Sequence, residues 1–326
     1  MEIFGSLIGN ENIKKSLGSE IASSKFLHAY IIEGKKGTGK HTVARLAAAA
    51  IMCHGKEKVP CGECDTCRKI LSDNCADVKF SDAFKVDDVR KIKETLYETS
   101  TECDYKVYIF NDAQKMNVKA QNALLISLEE PPENVVFFLL CTDANALLET
   151  VRSRAQILRT EPLDKKTIFE YVRSSGIASE LSDERLNEII LCSGGSLGYV
   201  LDMANPQNAN ALIEKRQKAL KLTTALLSPG AEGYSFISSL SSLSREDTVE
   251  TLLSVLTALR DLIVLKKDRG ANLCFFASRD EALSLSSKAN LKKLTSFYDA
   301  TEIAINDVNS NASVMSTLVS LYFNPN

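Results

Sequence analysis

The sequence has no excess of either charge: 39 Lys and Arg face 42 Asp and Glu over 326 residues, a formal net charge of −3. A protein that holds nucleic acid by its own overall field needs a strongly basic surface, so that class is disfavoured and only a local basic patch stays open. No apolar run approaches the roughly 18 residues of a membrane span. The opening MEIFGSLIGNENIKKS lacks the charged-then-apolar layout of a secretory signal. The expectation is a cytoplasmic protein with no membrane partner. Internal repeats and low-complexity stretches are missing too. With 44% hydrophobic residues the chain has core enough for two or three domains, which excludes a disordered chain or a disulfide-stapled miniprotein. What is present in quantity is cysteine. Nine occur, and in a reducing compartment they are thiols or metal ligands. Four crowd between Cys53 and Cys67; Cys75, Cys103, Cys141, Cys192 and Cys274 are scattered and read as buried thiols.

The first half alternates short β-rich apolar runs with helical patterns, the signature of a parallel sheet covered by helices. Candidate strands are 29–32, 76–80, 106–110, 135–141 and 156–158, three of them nearly continuous apolar runs suited to strands buried on both faces. Helices are expected over 42–52, 86–99 and 119–128, the last stopped by Pro131-Pro132. Beyond about residue 160 helical periodicity takes over. Ile168, Phe169 and Val172 share one face of a first helix, a second runs over 182–192, and the Ser193-Gly194-Gly195 break leads into a third near Leu197. The polar stretch 205–208 marks the next boundary. After it Leu252, Val255, Leu256, Leu259 and Ile263 recur at helical spacing, and a last helix is expected over 312–323. The layout is an α/β domain with a parallel sheet over 1–160, a small helical domain over 161–205 and an all-α domain over 206–326.

The segment HAYIIEGKKGTGKHTVARLAAAA sets a strand, a glycine-rich turn and a helix in succession. Gly34, Gly37, Thr38, Gly39 and Lys40 follow the phosphate-loop pattern G-x-x-x-x-G-K-[ST] up to its last position. There the backbone N–H groups and helix N-terminus suit phosphates, and the lysine reaches the terminal ones. The competing reading is a plain flexible turn, and Lys35-Lys36 a solvated one. The final position needs a hydroxyl for magnesium, but His41 stands there, a poor ligand for that hard cation. Thr42 brings a hydroxyl one residue late, about 100° around the helix. The run Val107-Tyr108-Ile109-Phe110-Asn111-Asp112 has the shape of a Walker B strand, where an active ATPase carries Asp-Glu. Asn111 has no charge and Asp112 is one methylene shorter than Glu. Nucleotide binding could survive these changes, whereas magnesium-dependent hydrolysis is expected to suffer. The alternative is that Asn111-Asp112 merely ends a strand in a turn.

Cys53, Cys61, Cys64 and Cys67 present four thiols with seven, two and two residues between them. That spacing suits one tetrahedral zinc, and four sulfurs leave no open position, so the role is structural. Reduced, metal-free thiols are the alternative, and His54 and Cys75 compete with Cys53 for the fourth place. A zinc knuckle touching nucleic acid lacks its interleaved aromatics here. His28 reads as a packing or hydrogen-bonding residue.

Together these residues, with VYIFNDAQKMNVKAQNALLISLEEPPENVVFFLLCTD and TVRSRAQIL, resemble the bacterial clamp loader of the replicative DNA polymerase, an AAA+ family. The likeness is dense over 7–158 and looser beyond. It implies a P-loop AAA+ domain with a zinc insertion at 53–67, a helical lid and a collar that assembles a five-subunit ring. It also implies ATP as ligand and, as partners, gamma/tau and delta subunits, the sliding clamp and primer-template DNA. The motor subunits of that family carry Thr after the P-loop lysine, Asp-Glu on the Walker B strand and Arg in the lid motif G-S-L-R. Here the positions read His41, Asn111-Asp112 and Gly198, which points to the member that need not hydrolyse ATP and serves as a stator. Ser153-Arg154-Ala155 occupies the Ser-Arg-Cys place, whose arginine reaches a neighbour's ATP site; Arg152 competes for that role. Thr142 falls where the family keeps a polar nucleotide sensor. The rival functions are an active gamma/tau-like ATPase, with Thr42 or a shifted loop holding the metal, and a zinc-dependent nucleic-acid binder.

Overall fold

A computed structural model of the chain describes residues 2–55, 57–271, 273–276 and 278–323. Two compact units emerge, Met1–Ile168 with Gly195–Gly198, and Phe169–Gly194 with Tyr199–Asn326. The segment 161–205 is thus shared between them.

Among the described residues the first unit carries seven strands, β1 (Glu2–Ile3), β2 (Ala29–Glu33), β3 (Lys58–Val59), β4 (Val78–Ser81), β5 (Lys106–Phe110), β6 (Val135–Cys141) and β7 (Gln156–Arg159). Its helices are α1 (Glu11–Ala22), α2 (Lys40–Ile51), α3 (Asp65–Leu71), α4 (Val86–Leu96), α5 (Val118–Glu129) and the single turn α6 (Glu149–Arg152). Five strands form one parallel sheet in the order β4-β5-β6-β2-β7. Alternation along each central strand feeds two cores. Tyr30, Ile32, Val107, Ile109, Val136, Phe138 and Leu140 face one side, with α1 and α2 residues. Ala29, Ile31, Tyr108, Phe110, Phe137 and Leu139 face the other, with α4 and α5 residues. Strands buried on both faces cannot show polar alternation, which is why these three read as continuous apolar runs.

The boundaries differ from the sequence reading where side chains intervene. β4 starts at Val78 instead of residue 76 because the buried Asp77 turns aside: its carboxylate accepts the N–H groups of Thr101, Glu102 and Cys103 at 2.7–3.1 Å. α4 stops at Leu96, where Lys106 Nζ and Tyr108 Oη donate to Thr95 O at 3.0 and 3.1 Å. α2 begins earlier, at Lys40, directly after Gly39 at φ +90, a conformation only glycine adopts freely. Pairing of β1 with β3 was not anticipated.

The chain continues with α7 (Lys165–Ser174) and α9 (Leu197–Ala204), whose first residues belong to the first unit, and with α8 (Asp183–Cys192) between them; the rest of the second unit is a bundle of α10 (Pro206–Leu227), α11 (Ala231–Ser239), α12 (Arg245–Lys267), α13 (Arg279–Ser287), α14 (Leu291–Asn309) and α15 (Val314–Phe323). Leu252, Val255 and Leu259 of α12 are buried as their spacing predicts, while Leu256 and Ile263 are half-buried. Asp261 within this core is fully buried and accepts the N–H groups of Cys274 and Phe275, both at 2.7 Å. The last helix starts at Val314, not 312, because Asn311 at φ +70 and the Ala312 N–H bond to Asp307 O finish α14. Among the described helices none is long and apolar enough to cross a membrane.

Candidate functional site

The loop 34–39 leaves the C-terminal end of β2, between β6 and β7, and runs into α2; open parallel sheets bind ligands at the carboxyl ends of their strands. Its own chain closes around it. Lys40 is buried and its ammonium donates to Gly34 O at 2.6 Å and Lys35 O at 2.9 Å. Burial lowers its pKa, against the pull of the Asp112 and Cys141 side chains. Thr38 Oγ1 lies 2.7 Å from Thr160 Oγ1 at the end of β7. Ser196 Oγ donates to Lys36 O at 3.3 Å, and the Gly198 N–H to Gly37 O at 3.0 Å. A Cβ at residue 198 would stand 2.8 Å from Gly37 Cα, so this backbone pairing requires glycine.

The polar residues after β5 are held by their own neighbours. Asn111 donates to Asp82 Oδ1 at 3.1 Å. Asp112, at φ +44, opens a short 3-10 turn, and its carboxylate pairs with Lys115 at 3.0 Å and Gln114 Nε2 at 3.1 Å. Burial raises the Asp112 pKa, but the hydrogen bonds from Lys115 and Gln114 and the charges of Lys115 and Lys40 outweigh that and hold it low. The turn reading of Asn111-Asp112 therefore describes their geometry. His41 is exposed, its ring 6.5 Å from that of Phe80, and partial burial with the neighbouring Lys40 lowers its pKa. Thr42 is exposed as well. Thr142 donates its N–H to Gln114 Oε1 at 3.3 Å.

The four clustered cysteines converge. The Sγ atoms of Cys53, Cys61, Cys64 and Cys67 all lie within 4.8 Å of one another. Cys61 and Cys67 sulfurs are 4.0 Å apart, close to the edge of about 3.8 Å that a tetrahedron with 2.3 Å zinc–sulfur bonds requires. Backbone N–H groups point at the sulfurs: Gly55 and Cys61 at Cys53, Cys64 at Cys61, and Cys67 at Cys64, at 3.2–3.4 Å. Those from Cys64 and Glu63 bring the Cys61 thiol down to about 6, while burial pushes Cys67 up. Such a donor set suits a cation that prefers thiolates. α3 brings Cys67 and Ile70 against the Ala47–Ala50 run of α2, whose small side chains admit the module closely. His54 is exposed and outside the cluster. Cys75 is buried, its sulfur 3.6 Å from that of the half-exposed Cys103. Of the other single cysteines, Cys141 is buried and Cys274 half-exposed, while the Cys192 side chain lies outside the described residues.

Residues 9–164 match the family described as "DNA polymerase III, delta subunit". The chain is 31% identical over 266 residues to the DNA polymerase III subunit tau of Bacillus subtilis, covering 78% of this chain and 46% of that protein. The chain belongs to the bacterial clamp-loader family of AAA+ proteins. It is 28% identical over 229 residues to the B. subtilis DNA polymerase III subunit delta', covering 69% of this chain and 67% of that relative. A gamma subunit of Buchnera aphidicola is 30% identical over 241 residues, 72% of this chain and 65% of that protein. The chain spans 46% to 67% of the length of these three relatives. A solved gamma subunit-related protein of Thermotoga maritima aligns over 95% of this chain and 99% of its own at a TM-score of 0.46 and 16% identity.

The clamp-loader resemblance singled out Arg154, which lies between α6 and β7. Its side chain is about one-third exposed; one guanidinium nitrogen is 2.6 Å from Glu129 Oε1, and the other donates to Thr150 O at 2.9 Å and Ser153 Oγ at 3.2 Å. Arg152 donates instead to Asn145 Oδ1 at 3.1 Å. Ala155, in place of the family's Cys, packs against the α4–α5 core. His28 has the structural role expected, with Nε2 3.0 Å from Leu128 O. Sequence reasoning missed Thr160, Ser196 and Glu129. Each acts across the fold, and no local spacing announces it.

Proposed function

We propose that this chain is the delta prime, or stator, subunit of the DNA polymerase III clamp loader, working in DNA replication without hydrolysing ATP itself. Loss of the magnesium-side groups and of the lid arginine at one site carries this reading: the hydroxyl position is His41, the Walker B acid position is Asn111, and the lid arginine position is Gly198, whose backbone bonds to the phosphate loop. Phosphoryl transfer depends on positioning and electrostatics, so a chain lacking these groups loses the reaction even where Gly34, Gly37, Thr38, Gly39 and Lys40 retain a phosphate-loop shape. Arg154 persists, and it is the group this chain supplies: a guanidinium reaching the ATP site of a neighbouring gamma/tau subunit and neutralising charge on the transferred phosphoryl group. The remaining proposed partners are the delta subunit, the sliding clamp and primer-template DNA held by the whole ring. Cys53, Cys61, Cys64 and Cys67 hold one structural Zn2+, which would pin the 53–67 loop and leave no catalytic position open.

The higher identity to tau and gamma relatives favours a second reading, an active gamma/tau-like ATPase. Steady-state ATP turnover by the purified chain with magnesium separates the two. The stator reading expects no turnover above background, whereas turnover abolished by Lys40→Ala would establish the motor reading instead.

A further inference from the structure

We propose that Glu129 is a positioning residue for Arg154, holding its guanidinium in the geometry from which it engages the neighbouring subunit. This rests on the trans-arginine reading above.

The two ends of the Arg154 fork are held by different elements. The Glu129 carboxylate, at the last residue of α5, takes one nitrogen at 2.6 Å, while Thr150 O and Ser153 Oγ around α6 take the other at 2.9 and 3.2 Å. A long side chain whose guanidinium is held at both terminal nitrogens has given up part of its rotamer freedom before a partner arrives, which lowers the ordering cost of engaging it. The carboxylate sits at a helix C-terminus, whose carbonyl dipoles also favour a cation.

The two elements are themselves locked together. Buried Gln121 of α5 accepts the Leu148 N–H at 2.8 Å, just before α6, and donates to Met116 O at 3.0 Å. At its far end α5 is tied to β2 through His28 and Leu128 O at 3.0 Å. The helix end that carries Glu129 is therefore a fixed point. The pair is also half-exposed, 34% and 46% at the two side chains. An ion pair so open to water is weak, and a phosphoryl group of higher charge displaces the carboxylate readily. Arg154 is thus aimed without being trapped. Arg152 contrasts with it, since its bond is to the neutral amide of Asn145.

A double-mutant cycle in the reconstituted complex with gamma/tau-type ATPase subunits tests this. Turnover and the KM for ATP are measured for wild type, Glu129→Gln, Arg154→Ala and the double variant, with thermal melting of each chain to establish that it folds. The Arg154-dependent turnover is the difference between wild type and Arg154→Ala. Glu129→Gln is expected to lower that share roughly threefold or more, with KM changed less than about twofold, and to add no loss in the Arg154→Ala background. Undiminished turnover in Glu129→Gln, beside a crippled Arg154→Ala, overturns the positioning role and leaves the trans-arginine reading standing. Equal loss from Glu129→Gln in both backgrounds overturns it too, because the carboxylate then acts elsewhere. A fully active Arg154→Ala complex removes the trans-arginine reading itself.

Discussion

At the scale of single residues, the lid position 198 shows why a missing side chain is a structural requirement. The Gly198 N–H reaches Gly37 O at 3.0 Å only because no Cβ intrudes on Gly37 Cα. Gly198→Arg, which restores the residue type of the motor pattern, forces the two backbones apart. Overpacking of this kind costs about 1–3 kcal/mol. Faster amide exchange over residues 34–39 and a lower melting temperature are the expected outcomes, and unchanged exchange there would contradict the close packing. The same site shows what could be read in advance. Gly34, Gly37, Gly39 and Lys40 are contiguous, so their spacing alone disclosed the loop. Closure of that loop by Thr160, Ser196 and Gly198 depends on residues distant in the chain, and no local period records such a meeting. The bonds from Lys40 to the carbonyls of Gly34 and Lys35 also belong to the folded loop and to no sequence period.

Among the secondary-structure elements, the cysteine module was legible as a ligand set but not as a piece of architecture. Spacing gave four donors; only the fold shows β3 pairing with β1 and α3 lying on the alanine run of α2. A metal bound there holds several elements at once, and its binding free energy is folding free energy. Elemental analysis should find one zinc per chain. Its removal by a strong chelator should lower the melting temperature and open all four cysteines to alkylation, while a chelated protein with unaltered melting would show the thiols hold no structural metal. The central strands were recovered almost to the residue, because burial on both faces writes a continuous apolar run. Strand and helix ends were not, since Asp77 and Lys106 set them through bonds to distant backbone.

For the whole molecule, the near-balance of 39 basic and 42 acidic residues agrees with a subunit whose work is done through neighbours, not through its own field. On the proposed stator reading, a P-loop fold with His41 and Asn111 at the magnesium-side positions and a half-exposed Arg154 supplies charge to a neighbour's reaction instead of running its own. ATP turnover by the reconstituted complex, with wild-type chain or Arg154→Ala and assembly verified by gel filtration, tests that claim most directly. The account predicts an intact complex in which turnover at the site facing this chain falls by roughly 10³ or more, leaving only what the other sites contribute. An intact Arg154→Ala complex turning over ATP at the wild-type rate would contradict it.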